Sequence, residues 1–102
     1  MAVIEINSDN FEAEILKQEG VAMVDFWATW CNPCMMLSPL VDEVAEETDV
    51  IKFCKINVDE EPDLASQFKV MTIPTLIVFK GGEEVKRNVG VISKEEILKI
   101  AE

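Results

Sequence analysis

Two cysteines stand two residues apart in the stretch Phe26-Trp27-Ala28-Thr29-Trp30-Cys31-Asn32-Pro33-Cys34-Met35-Met36. Thiols at this spacing can ligate a metal, form a fixed crosslink, or open and close a disulfide as their job. A structural zinc site takes four ligands, usually from two such cysteine pairs or from one pair with histidines. This chain has one pair, one further cysteine at Cys54 and no histidine, so a metal would have to be bridged between two copies. Fixed crosslinks typify small secreted domains with paired cysteines. Three cysteines in a chain of 102 residues, long enough to bury a core without staples, do not fit that pattern. The exchanging dithiol is the reading that remains strongest. The absence of histidine also removes Ser-His-Asp, Cys-His and His-metal mechanisms.

Reactive sulfur needs a strand to carry it and a helix to activate it. Val21 to Ala28 is almost wholly apolar, as expected of a strand covered on both faces. Beyond the cysteines, Leu37, Leu40, Val41, Val44 and Ala45 recur at helical spacing while Asp42, Glu43, Glu46 and Glu47 take the other side. Cys31 therefore falls at a helix N-terminus, where unpaired N–H groups and the helix dipole favour a thiolate. Pro33 suits the first helical turn, and Pro39 is expected to kink the helix further on. Cys34, three residues later, shares the face of Cys31. The pattern predicts an exposed, activated sulfur and a deeper one held in reserve.

The remaining elements follow from similar signals. Val3–Ile6 reads as a first strand. Asp9 and Glu12 resemble a capping box before a helix with Phe11, Ile15 and Leu16 on one face and Gly20 as its stop. Val50–Val58 reads as a buried strand, and Pro62 opens a short helix with Leu64 and Phe68 one turn apart. Thr75–Lys80 is a third apolar strand, and Gly81-Gly82 signals a hairpin into a strand ending at Val89. Ser93 and Glu96 form a second capping box before Ile97, Leu98 and Ile100. Alternating strands and helices, with no repeats or linkers, predict one α/β domain over residues 1–102 with a central sheet and helices on both faces.

Composition bounds the partners. Apolar residues at 49% and charged residues at 28% are the balance of a soluble globular chain. No apolar run approaches bilayer length, and the N-terminus does not read as a signal peptide, so a cytoplasmic protein is expected. Twenty acidic against nine basic residues give a formal net charge of −11, which argues against nucleic acid and anionic membranes. Asp25 is the one charge inside Val21–Trp27. It is equally well a satisfied structural acid or a buried carboxylate whose raised pKa lets it take a proton near neutral pH. Cys54, within an apolar strand, reads as a small buried hydrophobe.

The motifs together resemble those of the thioredoxin family: Asp25-Phe26-Trp27-Ala28, Trp30-Cys31-x-Pro33-Cys34, Pro39 and Thr72-Ile73-Pro74-Thr75-Leu76, in order and at matching spacings. The likeness extends through Lys55–Asp59, the Phe79–Gly82 hairpin and Val89-Gly90, and so covers essentially the whole chain. It implies a thioredoxin fold, a five-stranded mixed β-sheet in the order 1-3-2-4-5 flanked by four α-helices. It further implies that Cys31 attacks client disulfides, that Cys34 resolves the adduct, and that Asp25, with Lys55 as partner, handles the Cys34 proton. Pro74 is implied to be cis and to face the cysteines, while Trp30, Ile73, Pro74, Gly90 and Val91 form the apolar groove that receives the client. The backbone of Ile73 would pair with an extended client segment. No cofactor is expected, since the electrons reside in the cysteines. The implied partners are a thioredoxin reductase and disulfide-containing client proteins, with the chain acting as a monomer.

Two positions depart from the family pattern. Asn32 stands where glycine is usual, and Met35 where a basic residue commonly follows. Asn32 and Pro33 are thus expected to tune the redox poise, Asn32 by donating its amide to sulfur. Met35 is expected to tune docking or to be a neutral surface change. An oxidase or isomerase of exported proteins, and a binding module with an incidental dithiol, are the competing readings.

Overall fold

The computed structural model describes residues 2–102. Strands β1 (Ile4–Glu5), β2 (Val21–Trp27), β3 (Ile51–Asn57), β4 (Thr75–Lys80) and β5 (Glu83–Val89) form one sheet in the order β1-β3-β2-β4-β5. β3 runs parallel to β1 and β2, whereas β4 is antiparallel to both β2 and β5. Helices α1 (Asn32–Glu47), α2 (Pro62–Gln67) and α3 (Lys94–Ile100) pack on the sheet together with a five-residue π-helix at Glu12–Leu16. This is the thioredoxin fold.

Strand alternation splits the core into two layers. Ala22, Val24 and Phe26 face the π-helix and α2 side with Phe11, Ile15, Leu64 and Phe79. Met23 faces the opposite side, where Leu37, Val41, Val44 and Ile97 come from α1 and α3. Cys54 is fully buried in the first layer, as its apolar strand predicts.

Two local expectations change. The first helix lacks the Asp9–Glu12 capping box. Instead the Asn7 side chain accepts from the amides of Asp9 (2.9 Å) and Asn10 (3.0 Å), and Asn10 Oδ1 accepts from the Asn7 amide at 2.8 Å. This Asx turn satisfies the entry backbone before the helix starts. The helix then closes as a π turn, with Lys17 N–H donating to the Glu12 carbonyl at 2.9 Å. Leu98 proves exposed; the stripe of α3 runs through Ile97, Ile100 and Ala101, the i, i+3, i+4 rule choosing the alanine instead. α1 continues through Pro39 as a single helix.

Candidate functional site

β2 is the central strand, bonded on both sides, and it delivers its C-terminal residues to the start of α1. Cys31 is the N-cap of α1 in an extended conformation, with its side-chain sulfur accepting from the Cys34 amide at 3.2 Å. Its carbonyl accepts from the Met35 amide at 3.2 Å. Pro33 occupies the first turn, where it forfeits no hydrogen bond. The sulfur thus sits where a helix end offers an N–H donor and a positive dipole. Cys31 and Cys34 are joined as a disulfide, their Cα atoms 5.2 Å apart.

The expected exposure of Cys31 is reduced. Its relative exposure is 4% against 0% for Cys34, so the order of depth holds but both sulfurs are covered. Ala28 completes their small cluster, and Trp27, Val58 and Ile73 pack against it. Ile73–Pro74 is a cis peptide, and the Ile73 carbonyl oxygen lies 3.8 Å from Cys31 Sγ. The Pro74 carbonyl accepts from the Gly90 amide at 2.9 Å, tying the cis-proline loop to the end of β5. Gly90 has φ of +101°, a conformation that suits glycine. Val91 and Trp30 stand exposed nearby in sequence, Trp30 at 68%.

Trp30 is fixed despite its exposure, because its indole Nε1 donates to Asp59 Oδ2 at 2.8 Å. Asp59 is in turn set by the Asn57 side chain, which accepts from its amide at 2.9 Å. Asp59 is a residue that chemistry-based reading missed. Its only signal was its place at the end of the Lys55–Asp59 segment. Asn32 is exposed, and among the described residues its side chain makes no hydrogen bond to sulfur; the Cys34 backbone holds that role.

Asp25 is 3% exposed and its Oδ1 has no hydrogen-bond partner. Odd-numbered positions of β2 point toward the α1 side, so Asp25 shares the sheet face covered by the helix that carries Cys34. Its register neighbour on β3 is Lys55. The Lys55 ammonium is placed 5.5 Å from the centre of the Trp27 ring, a cation–π contact. Burial drives the Asp25 carboxyl up to about 7; Lys55 opposes the rise and Asp42 on α1 adds to it. Asp42 is the second residue that sequence reasoning passed over, having been read as part of a solvated helix face.

The match to known proteins follows the same residues. The family model for thioredoxin matches residues 2–102. A thioredoxin of Staphylococcus saprophyticus is 47% identical over 100% of this chain and 97% of its own length. A thioredoxin 2 of Chlorobaculum tepidum is 46% identical over 93% of this chain and 88% of its own, and a thioredoxin 1 of Nostoc is 44% identical over 91% and 88%. The chain belongs to the thioredoxin family. Its Cys31–Cys34 pair is a dithiol–disulfide exchange centre, and the family's general partners are a reductase and disulfide-bearing clients. Among the described residues no helix is long and apolar enough to cross a membrane.

Proposed function

We propose that this chain reduces disulfides in client proteins through Cys31 and Cys34, acting as a cytoplasmic monomer over residues 1–102, without nucleic-acid or membrane partners. The observation that carries the reading is the placement of Cys31 Sγ at the N-terminus of α1, accepting the Cys34 amide and abutting the Ile73 carbonyl.

In the reduced protein, the Cys31 thiolate attacks one sulfur of a client disulfide. The client S–S bond breaks, a mixed disulfide forms, and the displaced client thiolate takes a proton from solvent. Cys34 gives its proton to the Asp25 carboxylate and attacks Cys31 Sγ. The Cys31–client S–S bond breaks, the second client sulfur leaves as a thiolate that takes up a proton, and the Cys31–Cys34 bond closes. A group titrating near 7 is present in both forms at neutral pH, so it can accept this proton and release it again. Lys55 keeps part of the Asp25 population ionised by its nearby positive charge. A thioredoxin reductase then returns two electrons and two protons.

Docking rests on Trp30, Ile73, Pro74, Gly90 and Val91. Among the described residues the Ile73 N–H has no backbone partner and its C=O meets only Cys31 Sγ, at 3.8 Å, a backbone edge that suits pairing with an extended client segment. Main-chain pairing reads no side chain and so supports broad client use. Pro33 and Asn32 bear on the redox poise through the turn that sets the two sulfurs.

Cys34→Ser is expected to accumulate covalent client adducts on non-reducing gels and Cys31→Ser to accumulate none. Equal trapping by both variants would reverse or abolish the assignment.

A further inference from the structure

The fold sorts the sulfur atoms of this chain into two groups. Cys31, Cys34, Cys54 and Met23 are at most 4% exposed, whereas Met35, Met36 and Met71 are 43%, 65% and 94% exposed. The open group is not scattered over the surface. Met35 and Met36 directly follow Cys34 in α1. Met35 stands one turn beyond Cys31, with its amide bonded to the Cys31 carbonyl at 3.2 Å. Helical side chains lean toward the N-terminus, which brings the Met35 thioether back toward the dithiol. Met71 lies two residues before Ile73, whose carbonyl oxygen is 3.8 Å from Cys31 Sγ, and two extended residues span at most about 7 Å.

The closed disulfide decides which sulfur an oxidant meets. Oxidation of cysteine follows thiolate character and exposure. With Cys31 joined to Cys34, neither is a thiolate. Cys54 is fully buried, and burial pushes its thiol up to about 12, so it offers no thiolate at neutral pH either. The three open thioethers beside the dithiol are what remains.

We infer that Met35, Met36 and Met71 are a modification site, oxidised to methionine sulfoxides by hydrogen peroxide while the disulfide is closed, and that the change weakens capture of client proteins. In each step the thioether sulfur gives an electron pair to one peroxide oxygen. The O–O bond breaks and an S=O bond forms. The second oxygen leaves as hydroxide and becomes water with the proton shed by the first. The product replaces an adaptable apolar surface with strong acceptor oxygens. A protein that covers this rim must then strip water from each S=O. A small disulfide that reaches Cys31 without covering the rim pays no such penalty. Reduction of the pair restores a Cys31 thiolate that competes for the oxidant, so the modification marks the oxidised form. Where oxygen is added follows from exposure and the closed disulfide; the effect on clients rests on the disulfide-reducing role above.

The test treats the full chain, disulfide closed, with hydrogen peroxide and locates the added oxygen by peptide mass spectrometry. Oxygen is expected on Met35, Met36 and Met71 well before Met23. Equal rates at Met23 overturn the site, and this arm needs no exchange activity. The treated protein is then reduced and assayed. Its kcat/KM toward insulin should fall about fivefold, through KM, the scale of one lost apolar contact, while its rate with hydroxyethyl disulfide should hold. The triple variant Met35→Leu, Met36→Leu, Met71→Leu has no thioether at these positions and should give the same kcat/KM before and after treatment. An unchanged value in the treated wild type, an equal fall in the triple variant, or equal losses on both substrates overturns the effect on clients. An untreated protein inert toward both disulfides overturns the role above and the effect with it, while the mapping still decides the site.

Discussion

Replacing Asp25 by asparagine should stabilise the protein, and by an amount that depends on pH in a defined direction. Asp25 is buried on the central strand with an unpartnered Oδ1, and its carboxyl is raised from 3.8 to about 7, chiefly by desolvation. In the unfolded chain the same group ionises near its ordinary value. Between about pH 4 and pH 7 the native state therefore holds a proton that the unfolded state has released, so stability falls as pH rises through this window. Each tenfold change in acidity is worth about 1.4 kcal/mol, so the penalty reaches about 4 kcal/mol once the group is ionised in both states. Asparagine is nearly isosteric and does not ionise. The stability gap between Asp25→Asn and wild type should be close to zero at about pH 4, widen through about pH 5 to 7, and level off by about pH 8 at an upper figure of about 4 kcal/mol. Guanidinium unfolding of both proteins with the disulfide closed, at a series of pH values, measures the gap directly. A gap that is the same at both ends of the range, or a variant less stable than wild type at the alkaline end, would refute the account of Asp25 as an ionisable group destabilised by burial.

Lys55→Gln removes the positive charge that holds the Asp25 carboxyl down, so the Asp25 midpoint should move upward. Carboxyl-carbon NMR of the variant reads this, and an unmoved or lowered midpoint contradicts it. The hairpin supplies a contrast between neighbouring glycines. A Cβ at Gly82 would stand 2.1 Å from the Leu16 carbonyl oxygen with φ at +82°, whereas at Gly81, with φ at +59°, it meets nothing within 4 Å. Gly81→Ala should cost about 1 kcal/mol and Gly82→Ala clearly more, roughly 3 kcal/mol, in denaturant unfolding. Equal costs would mean that the backbone of the π-helix yields easily.

The class of the fold could be read from the chain because buried strands and amphipathic helices leave opposite periodicities, and β2, β3 and β4 each lie within a residue or so of the expected spans. The strand order could not be read that way. Periodicity says that Val21–Trp27 is covered on both faces, not that β3 and β4 are its neighbours; that knowledge came with the family motifs. The entry to the first helix was misread because Asp9 and Glu12 have the spacing of a capping box while Asn7, further upstream, reaches the amides first. At the site, the helix-end position of Cys31 was legible from one strand–helix boundary. The Asp59 bond to Trp30 and the field of Asp42 on Asp25 were not, since both join residues distant in sequence.

These two parts of the site are set by different physics and can be changed separately. The attacking sulfur draws on the end of α1, whose N–H groups and dipole act over one turn. The proton acceptor draws on the sheet. A chain without histidine has no side chain that titrates near neutrality unperturbed, so an acceptor for that range must be made by shifting another group. A carboxylate at the surface would stay near its ordinary value. Asp25 is shifted because Val24 and Phe26, both fully buried, lock it into a strand bonded to β3 and β4, and it cannot turn toward water. The resulting cost of about 4 kcal/mol at alkaline pH is a large share of the 5–15 kcal/mol that holds a typical domain folded. It is tolerated by the rest of the core, which includes two apolar layers on either side of the same strand. Substitution at Asp25 should accordingly slow resolution by Cys34 while leaving attack by Cys31 little changed, because the helix end that serves the attacking sulfur does not depend on the charge beneath it.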